Sequence, residues 1–232
     1  MSGEKNVNIQ SLRSGITAPQ ALLFDLDGTI LDTGALILES MRYAVNGFAG
    51  YSYPDEVLLA GVGTPLITQL EIMTPEDPEA TFAAYQEHNH LHHDDSIAVF
   101  EGIPALLAQV EECGIPCAVV TSKRHGMAVH GLELFGLMER FAFLLGADDV
   151  VRAKPDPFPV IEACSRLGVD VASTWYIGDS PHDMKSANDA GALSIAVTWG
   201  MFPLEEIAVE SPDLVVNSPA ELSDLYRSSR SG

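Results

Sequence analysis

Positively charged side chains are scarce in this 232-residue chain. Twelve lysines and arginines face 33 aspartates and glutamates, which gives a formal net charge of −21. A field of that sign repels nucleic acid and anionic membrane surfaces, so neither is expected as a partner. It also raises a question for any anionic substrate, because few positive side chains are available to hold one.

Cysteines and long apolar runs are also sparse. The three cysteines, Cys113, Cys117 and Cys164, form no CxxC pair, and a disulfide framework is not expected at this size. No apolar stretch is long enough to span a membrane, and residues 1–18 lack the apolar core of a signal peptide. These absences favour a cytoplasmic protein without a membrane partner, and they leave monomer or dimer open.

Apolar residues make up 47% of the chain, enough for a sizeable core. Short apolar runs alternate with segments of helical periodicity, which predicts an α/β fold: a doubly wound, Rossmann-like parallel sheet. The predicted strands are 21–25, 117–121, 143–147, 174–178 and 194–198, with an edge strand at 213–216. The predicted helices are 103–112, 125–135, 157–167, 181–190 and 219–226.

Residues 33–97 interrupt this alternation. They carry apolar residues at helical spacing, such as Leu36 and Met41, and no convincing strand. The simplest interpretation is a small all-helical cap domain inserted after the first strand. The predicted division is a flexible N-terminal arm at 1–18, an α/β core at 19–32 and 98–232, and the cap at 33–97.

Polar residues collect where the predicted strands end, which is the ligand-binding edge of an open parallel sheet. They are Asp25, Asp27, Gly28, Thr121, Ser122, Lys123, Lys154, Asp179 and Asp183. Several acids at one edge repel each other, and a hard divalent cation such as Mg²⁺ resolves that conflict. Lys154 adds a fixed positive charge, and Thr121 and Ser122 add hydroxyl and amide donors. Together these groups are suited to hold a phosphoryl group.

Each of these motifs is weak by itself, since DxD and GDS are common in turns. Taken in order, they resemble the four motifs of the haloacid dehalogenase superfamily: FDLDGT at 24–29, VTS at 120–122, KPDP at 154–157 and GDSPHD at 178–183. The insertion is similar in place and size to that family's helical cap. Five residues within it resemble the phosphoglycolate phosphatase and pyrophosphatase branch of the family: Tyr85, Asn89, His90, His93 and Asp94.

The resemblance implies a role for each motif residue. Asp25 would be the nucleophile that forms an aspartyl-phosphate, and Asp27 the general acid and then the general base. Mg²⁺ would be bound by Asp25, the main-chain carbonyl of Asp27 and Asp179, with Asp183 in direct contact or supporting the site. The implied phosphate-binding residues are Asp25, Gly28, Thr121, Ser122 and Lys154.

Other branches of the family can be tested by what the chain lacks. The dehalogenases lack a second acid, so Asp27 argues against that activity. Phosphonoacetaldehyde hydrolases need a cap lysine, and residues 33–100 contain none. Hexose-phosphate mutases need cap cations for a second phosphate, and Arg42 is the cap's one permanent cation. A phosphatase remains.

The cap instead contains histidines at 88, 90, 92 and 93. They have three interpretations: a substrate-facing patch, a zinc site at His88 and His92 one helical turn apart, or a polar helix end. The predicted specificity residues are Arg42, His90, His93 and Lys123. The sequence thus predicts a Mg²⁺-dependent phosphatase of a small phosphorylated substrate, phosphoglycolate-like or pyrophosphate. The alternatives are a β-phosphoglucomutase-like phosphomutase and a non-catalytic phosphate-binding module.

Overall fold

A computed structural model describes residues 16–230, so the predicted arm at 1–18 lies almost wholly outside the described residues. The main sheet has six strands, all paired in parallel, in the order β5-β4-β1-β6-β7-β8. They are β1 (Ala21–Phe24), β4 (Cys117–Val120), β5 (Leu144–Leu145), β6 (Thr174–Gly178), β7 (Leu193–Val197) and β8 (Leu214–Val216). This order, with β1 in the interior and crossovers on both sides, confirms the predicted doubly wound α/β fold.

Helices cover both faces of the sheet. They are α5 (Ile103–Glu112), α6 (His125–Leu134), α7 (Phe158–Leu167), α8 (Pro181–Ala190), α9 (Leu204–Ile207) and α10 (Pro219–Ser229). Side chains alternate across a strand, so Leu22 and Phe24 of β1 pack into one core with α5 and α10. Leu23 points to the opposite face and packs against Val160 and Ala187 of α7 and α8. Burial on both faces explains why these strands are continuous apolar runs.

The inserted segment is helical, as predicted. It contains α1 (Gly34–Met41), which continues as a π-helical stretch (Arg42–Phe48), then α2 (Asp55–Leu59), α3 (Leu66–Met73) and α4 (Pro78–Ser96). These helices share an apolar core that includes Met41, Leu58 and Leu70, and Met184 and Ile207 of the α/β part pack against it. No helix among residues 16–230 is long and apolar enough to cross a membrane.

Two short strands join the sheet to the inserted helices. β2 (Leu31–Asp32) and β3 (Ala98–Val99) pair antiparallel, with Leu31 opposite Val99 and Asp32 opposite Ala98. Strands of two residues carry no readable periodicity, so the sequence did not predict this ribbon. Both connections to the cap therefore run side by side.

Candidate active site

The site lies where three neighbouring strands end. Asp25 follows β1, Thr121 follows β4 and Asp179 follows β6, and these strands are adjacent in the sheet. All three side chains line one cleft between the sheet edge and the inserted helices. The cleft has a volume of about 100 Å³.

Asp25 is buried beside Lys154, a lysine that is itself buried. The Lys154 ammonium lies 2.8 Å from Asp25 Oδ1 as an ion pair. Burial and the charge of Asp183 together raise the pKa of Asp25 to about 7, although Lys154 acts in the opposite direction.

Lys154 is held between two carboxylates. Its ammonium also donates to Asp183 Oδ1 at 2.6 Å, and it lies 5.8 Å from the centre of the Tyr176 ring. Burial alone would lower the pKa of Lys154, but the charges of Asp183 and Asp25 outweigh it and raise that pKa well above its ordinary value. Lys154 is therefore a permanent cation at the floor of the site.

Asp183 is saturated with hydrogen bonds. Oδ1 faces Lys154 and the Tyr176 hydroxyl, the latter at 3.1 Å. Oδ2 accepts from the Ser180 amide at 3.1 Å and from the Ser180 hydroxyl at 2.7 Å. Ser180 caps α8 and accepts in turn from the Asp183 amide, which forms a capping box. Asp183 thus fixes Lys154 to the start of a helix.

The Asp179 side chain fills space that Gly28 and Gly200 leave open by having no Cβ. A Cβ added at Gly28 would lie 2.1 Å from Asp179 Oδ2, and one added at Gly200 would lie 2.3 Å from it. Gly28 also has a φ of +80°, which favours glycine. The Met201 amide donates to Asp179 Oδ2 at 2.7 Å. Burial, with the charges of Asp183 and Asp25, raises the pKa of Asp179 well above its usual range.

These acids fit a divalent cation. Asp25, Asp179 and Asp183 each offer an oxygen within 4.8 Å of the others, and all three are buried. Burial is the main cause of the raised pKa values of Asp25 and Asp179, and the charge of Asp183 adds to it. An all-oxygen donor set of this kind suits a hard cation. The Asp183 oxygens already accept two hydrogen bonds each, so Asp25 and Asp179 are the freer ligands.

Asp27 stands at the entrance of the cleft, opposite a second lysine. Lys123 Nζ donates to Asp27 Oδ1 at 2.9 Å, and both side chains are mostly buried. Thr121 Oγ accepts from the Lys123 amide at 3.1 Å, which shapes the turn after β4. Lys123 is the one lysine or arginine among the described residues that line the cleft.

The inserted helices close the cleft from above. The loop before α3 contributes Gly63, whose carbonyl accepts the Ser122 hydroxyl at 2.5 Å. A Cβ at Gly63 would lie 2.9 Å from Ser180 Oγ, so the loop approaches the sheet edge closely. Tyr85 and Asn89 of α4 also line the cleft and are buried. The Ser122 hydroxyl therefore joins the cap to the core.

Three predicted specificity residues lie away from the cleft. Arg42 is half exposed and forms a bidentate ion pair with Asp55 inside the cap. His90 is exposed on α4. His93 is buried, but it contacts Asp94 outside the cleft. Scarcity of cations pointed to Arg42 and His90 from composition alone, and their helix faces turn them outward.

Several cleft residues were missed by sequence reasoning. They are Gln69 and Gln86 of the cap, Met127 of α6, and Met201 and Phe202 after β7. Tyr176, which contacts Asp183, was missed as well. Tyr176 has the strand periodicity of a core residue, and the Met201 amide carries no side-chain signal. Only the folded structure shows that these residues lie at the site.

Comparison with known proteins agrees with this geometry. The model of the haloacid dehalogenase-like hydrolase family matches residues 22–197. The chain is 33% identical to the pyrophosphatase PpaX of Halalkalibacterium halodurans over 88% of this chain and 95% of that one. The structure of a predicted phosphatase from Clostridium acetobutylicum is 28% identical, with a TM-score of 0.79 over 90% of this chain and 98% of that one.

A third relative shows the fold alone. The structure of a predicted phosphoglycolate phosphatase from Haemophilus somnus is 21% identical, with a TM-score of 0.77 over 91% of this chain and 99% of that one. The family match spans well over half of the chain, and it covers all four motifs at the sheet edge. The chain therefore belongs to the haloacid dehalogenase-like hydrolase family, which confirms both the resemblance seen in its motifs and the prediction of a phosphatase-type enzyme.

Proposed function

We propose that the protein is a Mg²⁺-dependent phosphatase that acts through an aspartyl-phosphate on Asp25. The observation that carries this proposal is a buried carboxylate, 2.8 Å from a buried lysine, within a cluster of three buried acids. Such a carboxylate reaches a phosphate only if nearby cations offset the charge of both partners. Lys154 supplies one of these cations.

The chain's own residues account for the chemical steps. Asp25 Oδ1 attacks phosphorus and forms the new P–O bond as the bond from phosphorus to the leaving oxygen breaks. Asp27, which holds a proton once the substrate has replaced it as the partner of Lys123, donates that proton to the leaving oxygen. Asp27, now ionised, takes a proton from the water that attacks the aspartyl-phosphate, and this releases phosphate and restores both acids. Lys154 and the amides after β4 stabilise the phosphoryl oxygens. Mg²⁺, held by Asp25, Asp179 and the Asp27 carbonyl, would supply charge neutralisation when bound.

Pyrophosphate is the substrate that the cleft supports best. Lys123 places a second cation beside Asp27, on the side where the leaving group departs. A leaving phosphate carries negative charge that this lysine stabilises, whereas an uncharged alcohol does not. The name of the Halalkalibacterium halodurans relative, a pyrophosphatase, points the same way.

The experiment is a comparison of two substrates in two variants. Lys123→Met should raise KM for pyrophosphate by about tenfold or more, because a charge-assisted hydrogen bond contributes about 1.5–3 kcal/mol. KM for glycerol 3-phosphate, whose leaving group is uncharged, should change little. Lys185→Met, at an exposed lysine paired with Asp189, is the matched control. Equal effects on both substrates would rule out this role for Lys123.

The phosphomutase alternative lacks support in the cap. Its one arginine, Arg42, is paired with Asp55 outside the cleft, so the cap offers no permanent cation for a second sugar phosphate. A non-catalytic module would bind a phosphate mimic without turnover.

We also propose that residues 33–97 move as one unit about the β2–β3 ribbon. The substrate is a small phosphorylated molecule in the cytoplasm, with phosphoglycolate as the second candidate.

A further inference from the structure

A cluster of two histidines and one aspartate connects the inserted helices to the α/β part, outside the cleft. His93 and Asp94 lie near the end of α4, and His130 lies on α6. One ligand atom from each lies within 4.8 Å of the others. We propose that His93, Asp94 and His130 form a binding site for Zn²⁺ that ties the cap to the core.

A single carboxylate oxygen organises the cluster. Asp94 Oδ1 is 2.9 Å from His93 Nδ1 and 2.7 Å from His130 Nε2. The two imidazole rings lie 5.4 Å apart, centre to centre. Two ring nitrogens and a carboxylate oxygen that converge on one point are the donor types that zinc prefers.

The His93 ring packs against a glycine of α6. A Cβ added at Gly131, the neighbour of His130, would lie 3.5 Å from His93 Cε1 and 3.0 Å from Leu31 Cδ1. The His93 ring therefore packs directly against the backbone of α6. Its Nε2 is buried without a hydrogen-bond partner, so Nδ1 makes the ring's polar contact. Packing thus orients the nitrogen that the metal would use.

The spacing is close to what zinc needs. Tetrahedral Zn²⁺ with bonds of about 2.0–2.2 Å holds its ligand atoms about 3.3–3.5 Å apart, so the triad would open by about half an ångström. Asp94 and His130 have side chains 52% and 44% exposed, which gives an ion access from solvent. A water molecule can then fill the fourth position.

The zinc site predicted at His88 and His92 is less suitable. The two rings do lie 4.6 Å apart. However, His88 Nδ1 is 3.1 Å from the Ser40 hydroxyl, and the ring stacks on Tyr43. Neither histidine belongs to a group of three potential ligands among residues 16–230. On α4, the residues suited to bind zinc are therefore His93 and Asp94, at the contact with α6.

Calorimetric titration with Zn²⁺ tests the site, with Mg²⁺ present in excess so that the acids of the cleft are occupied. Wild-type protein should bind one Zn²⁺ per chain. His130→Gln and Asp94→Asn should each weaken binding at least about tenfold, the loss typical of damage to a metal site. His90→Gln, at an exposed histidine of the same helix, should bind as the wild type does.

The outcome decides the proposal without reference to catalysis. If His130→Gln binds Zn²⁺ as tightly as wild type, or wild type binds none at micromolar concentration, the cluster is only hydrogen-bonded and the proposal is wrong. Because the site joins cap to core, Zn²⁺ should also slow turnover in wild type and leave His130→Gln unaffected. This second readout rests on the proposed function, whereas the titration does not, so their failures are distinguishable.

Discussion

Replacement of Lys154 by methionine removes the one buried cation that balances the acidic cluster. Lys154 Nζ lies 2.8 Å from Asp25 Oδ1 and 2.6 Å from Asp183 Oδ1, and all three side chains are at least nine-tenths buried. Loss of one partner from a buried ion pair costs about 3–5 kcal/mol, because the remaining charge is left without compensation. The expected loss is therefore a substantial fraction of the ordinary stability of a domain, about 5–15 kcal/mol.

Thermal unfolding followed by circular dichroism, in EDTA, measures this loss. For a chain of this size, about 3–5 kcal/mol corresponds to a Tm lower by about 6–20 °C. Lys185→Met is the matched control, since Lys185 is exposed and its pair with Asp189 is worth little. Mg²⁺ should restore part of the loss in Lys154→Met by supplying charge to the same acids. A Tm within about 2 °C of the control would refute the reasoning.

Three further outcomes follow from the same geometry. Gly28→Ala should abolish Mg²⁺ binding and turnover, because its Cβ would meet the Asp179 carboxylate at 2.1 Å and its φ is +80°, and calorimetry with Mg²⁺ checks this. Ser122→Ala loses the hydrogen bond to the Gly63 carbonyl, worth about 1 kcal/mol, and should raise KM by about fivefold in steady-state assays. Burial raises the pKa of Asp25 to about 7, so without metal the folded chain binds more protons than the unfolded one as pH approaches 7. Its stability from Asp25 therefore falls as pH rises through that pKa, and Mg²⁺ should raise Tm more at about pH 8 than at about pH 5.5.

The fold was predictable where one periodicity dominates. Buried strands such as β1 and β6 are continuous apolar runs, and the helices between them have a clear apolar face. Prediction failed for features that depend on pairing at a distance. The β2–β3 ribbon has two residues on each side, and β5 keeps only Leu144 and Leu145 of the predicted 143–147. The π-helical stretch after α1 also leaves no signal in residue spacing.

The site was predictable in its core and not in its cap. Asp25, Thr121 and Asp179 follow directly from strand ends, because parallel topology brings those ends together. In the cap, the face that a helix turns to the cleft depends on packing with distant residues. Arg42 therefore points to Asp55 instead of substrate, and Asn89, one turn before His93, lines the cleft.

Chemical trapping tests most directly whether Asp25 becomes phosphorylated during turnover. The enzyme is quenched with acid during turnover of pyrophosphate with Mg²⁺ and then treated with borohydride, which reduces an aspartyl-phosphate to homoserine. Peptide mass spectrometry should find homoserine at position 25, and none in Asp25→Asn treated in the same way. Active turnover without homoserine at position 25, or with homoserine at position 27 instead, would contradict the account.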